Sequence, residues 1–128
     1  LNIELKGKGT AAPTAALLQE RPKPLVLVSS FDHKELATFR VLAPACPVAP
    51  LFHRHRSSYL DTATALSAAS INVGRSMVSE DFVGACQRAG FPVLVYTVND
   101  IEEAQQLKRW GVAGIFTDRP DLMMSLQS

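Results

Sequence analysis

Gly90-Phe91-Pro92-Val93-Leu94-Val95-Tyr96-Thr97-Val98-Asn99-Asp100 is the stretch that decides the fold. From Pro92 to Val98 it is almost wholly apolar and β-branched, which predicts a strand buried on both faces, as in a parallel sheet. Gly90 stands at the C′ position of a helix predicted over 79–89, opened by Ser79 with Glu80 and Asp81 at its positive end. On the other side, Asn99-Asp100 caps the next helix, and Glu103 completes the spacing of a capping box. That helix runs to Trp110 and stops at Gly111. A second strand, Gly114-Ile115-Phe116-Thr117, then ends at Asp118, and Pro120 starts a terminal helix in the position proline favours. The unit of helix, glycine, short apolar strand, Thr and then Asn or Asp occurs twice, at Gly90–Asn99 and Gly111–Asp118.

The same rhythm extends upstream. Leu25-Val26-Leu27-Val28-Ser29-Ser30-Phe31 is continuously apolar and then turns to hydroxyls. Asp32-His33-Lys34-Glu35 has capping-box spacing, and Leu36, Phe39, Arg40, Val41 and Leu42 follow at helical spacing up to Pro44. Val48 to Phe52 predicts a third strand, Ser58 to Ala68 a helix, and Ser70 to Val73 a short strand closed by Gly74. At the start, Leu1-Asn2-Ile3-Glu4-Leu5-Lys6-Gly7 alternates with period two, so Leu1, Ile3 and Leu5 share one face and Asn2, Glu4 and Lys6 the other. A loop at 8–10 and a helix over 11–19, with Pro13 in its first turn, come next. Arg21-Pro22-Lys23-Pro24 leads into the second strand. Strand and helix alternate throughout, with short connections. This predicts βα units, a parallel sheet and one domain spanning 1–128.

Composition narrows the class. The chain has 128 residues, 13 Lys and Arg against 12 Asp and Glu, and a formal net charge of +1. That balance argues against a nucleic-acid surface or a polybasic membrane anchor. No apolar run reaches the length of a transmembrane segment. Two cysteines, Cys46 and Cys86, have neither CxxC nor zinc spacing and read as free thiols in a reducing, cytoplasmic compartment. The sequence opens directly on a strand, as a piece that begins in the middle of something would.

In parallel α/β folds ligands gather at the carboxyl ends of the strands. Here those ends are polar: Glu4 and Lys6; Ser29 and Ser30; Tyr96, Thr97 and Asn99; Thr117 and Asp118. Helix capping alone accounts for Asp32, Asp100 and Asp118. It accounts poorly for Glu4 and Lys6, which no helix follows at once. A carboxylate can hold Mg²⁺ or Ca²⁺, and an ammonium two residues on can neutralise a phosphate oxygen. A lysine at a strand end could equally be a Schiff-base or general-base residue. His53 and His55, alternating with Arg54 and Arg56, fit a solvated basic loop or a wall facing an anionic substrate. His33, in the first turn of a capped helix, is expected to be exposed. Ile101, Leu107 and Trp110 read as the buried stripe of their helix, and Met123 and Met124 as terminal packing.

Asn-Ile-Glu-Leu-Lys at 2–6, Val-Ser-Ser-Phe-Asp at 28–32, Val-Tyr-Thr-Val-Asn at 95–99 and Gly-Ile-Phe-Thr-Asp-Arg-Pro-Asp at 114–121 occur in that order. Together with the segment from Leu107 to Ile115, this resembles the glycerophosphodiester phosphodiesterase family over nearly the whole chain. The resemblance implies an α/β fold, the C-terminal portion of a TIM-type (β/α)8 barrel from about the fourth strand. It implies hydrolysis of small-molecule glycerophosphodiesters to an alcohol and glycerol 3-phosphate with a divalent cation, Mg²⁺ or Ca²⁺. Residue by residue, it makes Glu4 a metal ligand, Lys6 a contact of the substrate phosphate, Tyr96 a pocket residue where relatives often have Trp, and Phe31 a further apolar wall.

The family's catalytic histidines, the Arg beside the first, and its Glu-x-Asp metal pair have no counterpart in this sequence, and His53 and His55 do not match their motifs. A full barrel has about 250 residues. The expectation is therefore that an N-terminal half, or another copy of the chain, completes the barrel, and that the chain alone is inactive. Any signal peptide would then lie upstream. The competing reading is a non-catalytic half-barrel that serves as a binding or assembly module.

Overall fold

The computed structural model describes residues 2–20, 26–53 and 58–123. The chain divides into two compact units, Leu1–Leu51 with Ser57–Ser70, and Phe52–Arg56 with Ile71–Ser128. Both are built from parallel βα units.

The first unit contains β1 (Asn2–Glu4), α1 (Ala11–Glu20), β2 (Leu27–Ser30), α2 (His33–Leu42), most of β3 (Val48–Phe52) and α3 (Tyr59–Ala65). β1 pairs with β2 in parallel, Ile3 opposite Val28 and Glu4 opposite Ser29. β2 pairs with β3 in the same sense, Val28 opposite Val48 and Ser30 opposite Pro50. Regular pairing of β1 stops at Glu4, but the period-two pattern continues beyond it. Leu5 is buried and Ile3 half-buried, while Asn2, Glu4 and Lys6 are exposed. Leu5, Val28, Val48, Leu36 and Phe39 form the centre of the apolar core.

α2 explains why its apolar run is longer than its buried stripe. Leu36 and Phe39 are fully buried, and Ala43 packs at the edge of the same core. These positions recur every three to four residues, as a helix buried on one face requires. Val41 falls on the opposite side and is 80% exposed; Leu42 is also exposed. Both are apolar by sequence, but neither belongs to the core. α3 spans less than the predicted 58–68, because Leu66 caps it and Ser67 turns into the left-handed region with φ 49°.

The second unit contains β4 (Ile71–Gly74), α4 (Glu80–Arg88), β5 (Val93–Tyr96), α5 (Ile101–Arg109), β6 (Gly114–Ile115) and α6 (Pro120–Met123). β4 pairs with β5 and β5 with β6, both in parallel. β4 is buried along its whole length, as a strand covered on both faces should be; β5 departs from that expectation, since Val93 and Val95 have no exposed surface but Leu94 and Tyr96 on its other face are only half-buried. α4 begins at the Ser79 cap, whose hydroxyl accepts from the Phe82 N–H, and buries Phe82, Val83 and Cys86. α5 buries Ala104 and Leu107; Ile101 and Trp110 are only half-buried. Gly90 and Gly111 follow these helices with φ of +90° and +94°, the left-handed conformation in which a side chain costs about 1–2 kcal/mol. β6 is shorter than predicted, and Met123 is buried. The readings of Leu1, Arg21–Leu25, Arg54, His55, Arg56 and Met124 fall outside the described residues.

Candidate active site

In the first unit the polar face of β1 carries Asn2 and Glu4, and Lys6, two residues past the end of the strand, is exposed like them. Ser29 of β2 shares this face, since its hydroxyl donates to Asn2 Oδ1 at 3.0 Å. Glu4 sits opposite Ser29 in the parallel register, and both Glu4 and Lys6 are exposed. A carboxylate and an ammonium are thus presented from one strand end on a layer that is buried underneath. Phe31, where β2 passes into α2, is 41% exposed and presents an apolar ring at the same end of the unit.

The hydroxyls at the end of β2 have structural partners. Ser30 is buried; its Oγ donates to the Leu5 carbonyl at 2.8 Å and accepts the Asp32 N–H at 3.0 Å. Asp32 caps α2 by accepting the Glu35 N–H at 3.1 Å. The return bond of the expected capping box is absent, because the Asp32 N–H is already bound to Ser30. Glu35 reaches α1 instead: its Oε1 accepts the Gly9 N–H at 3.1 Å and its Oε2 the Ala11 N–H at 2.8 Å. His33 also departs from expectation. It is half-buried, and its Nε2 lies 3.0 Å from the Leu51 carbonyl, which can only accept.

In the second unit Tyr96 ends β5. Its ring is half-buried, and its hydroxyl donates to the Phe52 carbonyl at 2.8 Å. Gly74 is its register partner, and a Cβ at that position would lie 3.4 Å from the ring edge. Gly74 therefore provides the seat on which the aromatic ring lies, a role the sequence suggested only as a strand stop. Asn99 has a local duty: its Oδ1 accepts from Thr117 Oγ1 and from the Asp118 N–H, both at 2.9 Å. This bracket, not a ligand, explains the polar end of β6. The second expected capping box is also half-formed. Asp100 accepts the Glu103 N–H at 3.3 Å, while the Glu103 carboxylate pairs with Arg75 at 3.0 Å. His53 is exposed, and Asn72 is a wholly buried polar side chain within β4 that the sequence reading passed over.

Among the described residues no three His, Cys, Asp or Glu side chains are grouped so as to hold a metal ion. Hard divalent cations take six or more oxygen ligands. Glu4 suits one place in such a sphere, as an exposed oxygen donor beside a polar strand face. Among the described residues no helix is long and apolar enough to cross a membrane.

Parallel βα units with polar strand ends define this as an α/β protein of the TIM-type barrel class. The sequence model of the "Glycerophosphoryl diester phosphodiesterase family" matches residues 10–122. The chain belongs to that family. A solved phosphodiesterase from Oleispira antarctica, in complex with the product sn-glycerol-3-phosphate, superposes with a TM-score of 0.92 at 28% identity, covering 100% of this chain and 55% of that one. A glycerophosphodiester phosphodiesterase of Bacillus altitudinis is 33% identical over 106 residues, 80% of this chain and 42% of the relative. One from Bacillus subtilis is 28% identical over 111 residues, 83% of this chain and 38% of the relative. The chain therefore spans about half the length of the solved structure it matches, and less of these two curated relatives.

Proposed function

We propose that this chain forms part of a single catalytic domain that hydrolyses glycerophosphodiesters to an alcohol and glycerol 3-phosphate. The observation that carries the reading is the pair Glu4 and Lys6, exposed two residues apart at the end of β1 in a member of this family. Glu4 would hold a divalent cation, Mg²⁺ or Ca²⁺, together with ligands from outside the described residues. When bound, such an ion neutralises charge that develops on the phosphoryl oxygens. Lys6 places a point charge against a phosphate oxygen, in a reaction whose barrier falls mainly through electrostatic stabilisation. Tyr96, seated on Gly74 and tied to Phe52, offers a fixed ring to the substrate, and Phe31 an apolar surface.

The described residues of this chain contain no histidine in the family's catalytic pattern. We infer that the proton transfers fall to groups supplied by an N-terminal half of the barrel or by another copy. The cytoplasm is the compartment we propose, since Cys46 and Cys86 are both free thiols.

Release of glycerol 3-phosphate from a glycerophosphodiester, followed in the active protein that carries this chain, tests the reading. Glu4→Ala is expected to lower kcat by about 10²-fold or more, the scale seen when a transition-state charge loses its stabiliser. Hydrolysis that survives Glu4→Ala and Lys6→Ala unchanged would contradict these roles. A folded protein that binds glycerol 3-phosphate and never hydrolyses a diester would favour the non-catalytic binding module.

A further inference from the structure

The backbone on either side of Lys6 is tied down by side chains of β2 and α2. Leu5, just before it, donates its N–H to the Ser29 carbonyl at 2.8 Å and receives the Ser30 hydroxyl on its own carbonyl at 2.8 Å. After Lys6 the chain turns through Gly7 and Gly9, with φ of +92° and +81°. Both glycines are exposed, with no neighbouring atom within 4 Å of where a Cβ would stand. Two polar ties hold the loop. Thr10 Oγ1 donates to the Gly7 carbonyl at 2.9 Å, and the Glu35 carboxylate spans the Gly9 and Ala11 amides. Ala11 is the first residue of the ten-residue α1, so the carboxylate also sits at the positive end of that helix.

We propose that Glu35 is a positioning residue for the phosphate contact of Lys6, an inference that rests on the role given to Lys6 above. A glycine loop released from Glu35 regains backbone freedom, and binding must then remove it. The consequence falls on affinity for the phosphate group more than on the chemical step. Glu35 itself touches neither substrate nor metal; it acts by holding the loop.

The test measures the inhibition constant for sn-glycerol 3-phosphate, together with KM and kcat, in the active protein carrying Glu35→Ala, Glu35→Gln, Lys6→Ala and the Glu35→Ala/Lys6→Ala pair. Glu35→Ala is expected to raise the inhibition constant and KM roughly 10-fold with a smaller change in kcat. Glu35→Gln, which keeps an acceptor for one of the two amides, should fall between it and the unaltered protein, and serves if Glu35→Ala does not fold. Amide hydrogen exchange at Gly9 and Ala11 should quicken in both Glu35 variants. In the Lys6→Ala background Glu35→Ala should add nothing further. Additive effects, or a Lys6→Ala response with no response to either Glu35 variant, would overturn the inference alone. No response to Lys6→Ala would overturn the reading of Lys6 and this inference with it.

Discussion

Cys86 shows how far burial sets the chemistry of a single residue here. Its side chain has no exposed surface, and burial pushes the thiol up from 9.0 to about 11. A thiol that stays neutral is a poor nucleophile. Cys46 is half-buried; desolvation raises its pKa while the nearby Arg40 guanidinium opposes that rise. Iodoacetamide at pH 8 is therefore expected to label Cys46 first and Cys86 only on unfolding, as peptide mass mapping would report. The sign of the linked stability change follows from the raised value. The folded state keeps a proton that the unfolded chain gives up, so the contribution is intact below the unfolded-state pKa and is lost as pH rises from about 9 through about 11. Urea midpoints across that window should fall less steeply in Cys86→Ala than in the unaltered protein.

The candidate site was legible at this scale only in part. Glu4 and Lys6 stand out because a strand has period two and a polar face shows as alternating letters. Tyr96 stands out because it interrupts an apolar run. Glu35 does not stand out: its partners, Gly9 and Ala11, lie 26 and 24 residues away, and its spacing from Asp32 suggests a local capping box. The side chain joins two helices through a bond that no sequence period encodes.

At the scale of elements, the caps are the most local feature and the most legible. Asp32, Ser79 and Asp100 are N-caps, and each side chain accepts the amide three residues on. The reciprocal half is missing from both expected boxes: the Asp32 N–H is bound to Ser30 and Glu35 reaches the start of α1, while Glu103 pairs with Arg75 in the turn after β4. A carboxylate within reach of two backbone amides, or of a guanidinium, makes a stronger bond than it would with one capped amide. Asp32→Ala and Ser79→Ala should each lower stability by about 1 kcal/mol, read from urea melts. If Ser79→Ala is silent, its helix does not depend on the cap and the contact is incidental. Strand and helix boundaries were less legible than their order. Ser67 enters the left-handed region, which a non-glycine residue rarely adopts and its letter does not announce, and β6 ends early. Val41 was misleading because apolar character does not fix which side of a helix a residue occupies; Leu36 and Phe39 set that side.

For the whole molecule, the alternation of strand and helix carried the fold class, since parallel strands require crossovers and buried strands require unbroken apolar runs. Function is distributed differently. The first unit holds the carboxylate, the ammonium and one aromatic ring, and the second holds a tyrosine locked by its own hydroxyl. The chain spans about half of the solved Oleispira antarctica phosphodiesterase, and in the proposed reading its residues supply part of a catalytic constellation. One carboxylate cannot define a coordination sphere, which is why the choice between Mg²⁺ and Ca²⁺ was not legible in the sequence. The most direct test is the dependence of glycerophosphodiester hydrolysis on added Mg²⁺ or Ca²⁺, compared in the unaltered active protein and in Glu4→Gln. The account predicts that Glu4→Gln needs at least about 10-fold more metal for half-maximal rate, because an amide replaces a charged ligand. An activation curve that does not move would contradict the assignment of Glu4 to the metal.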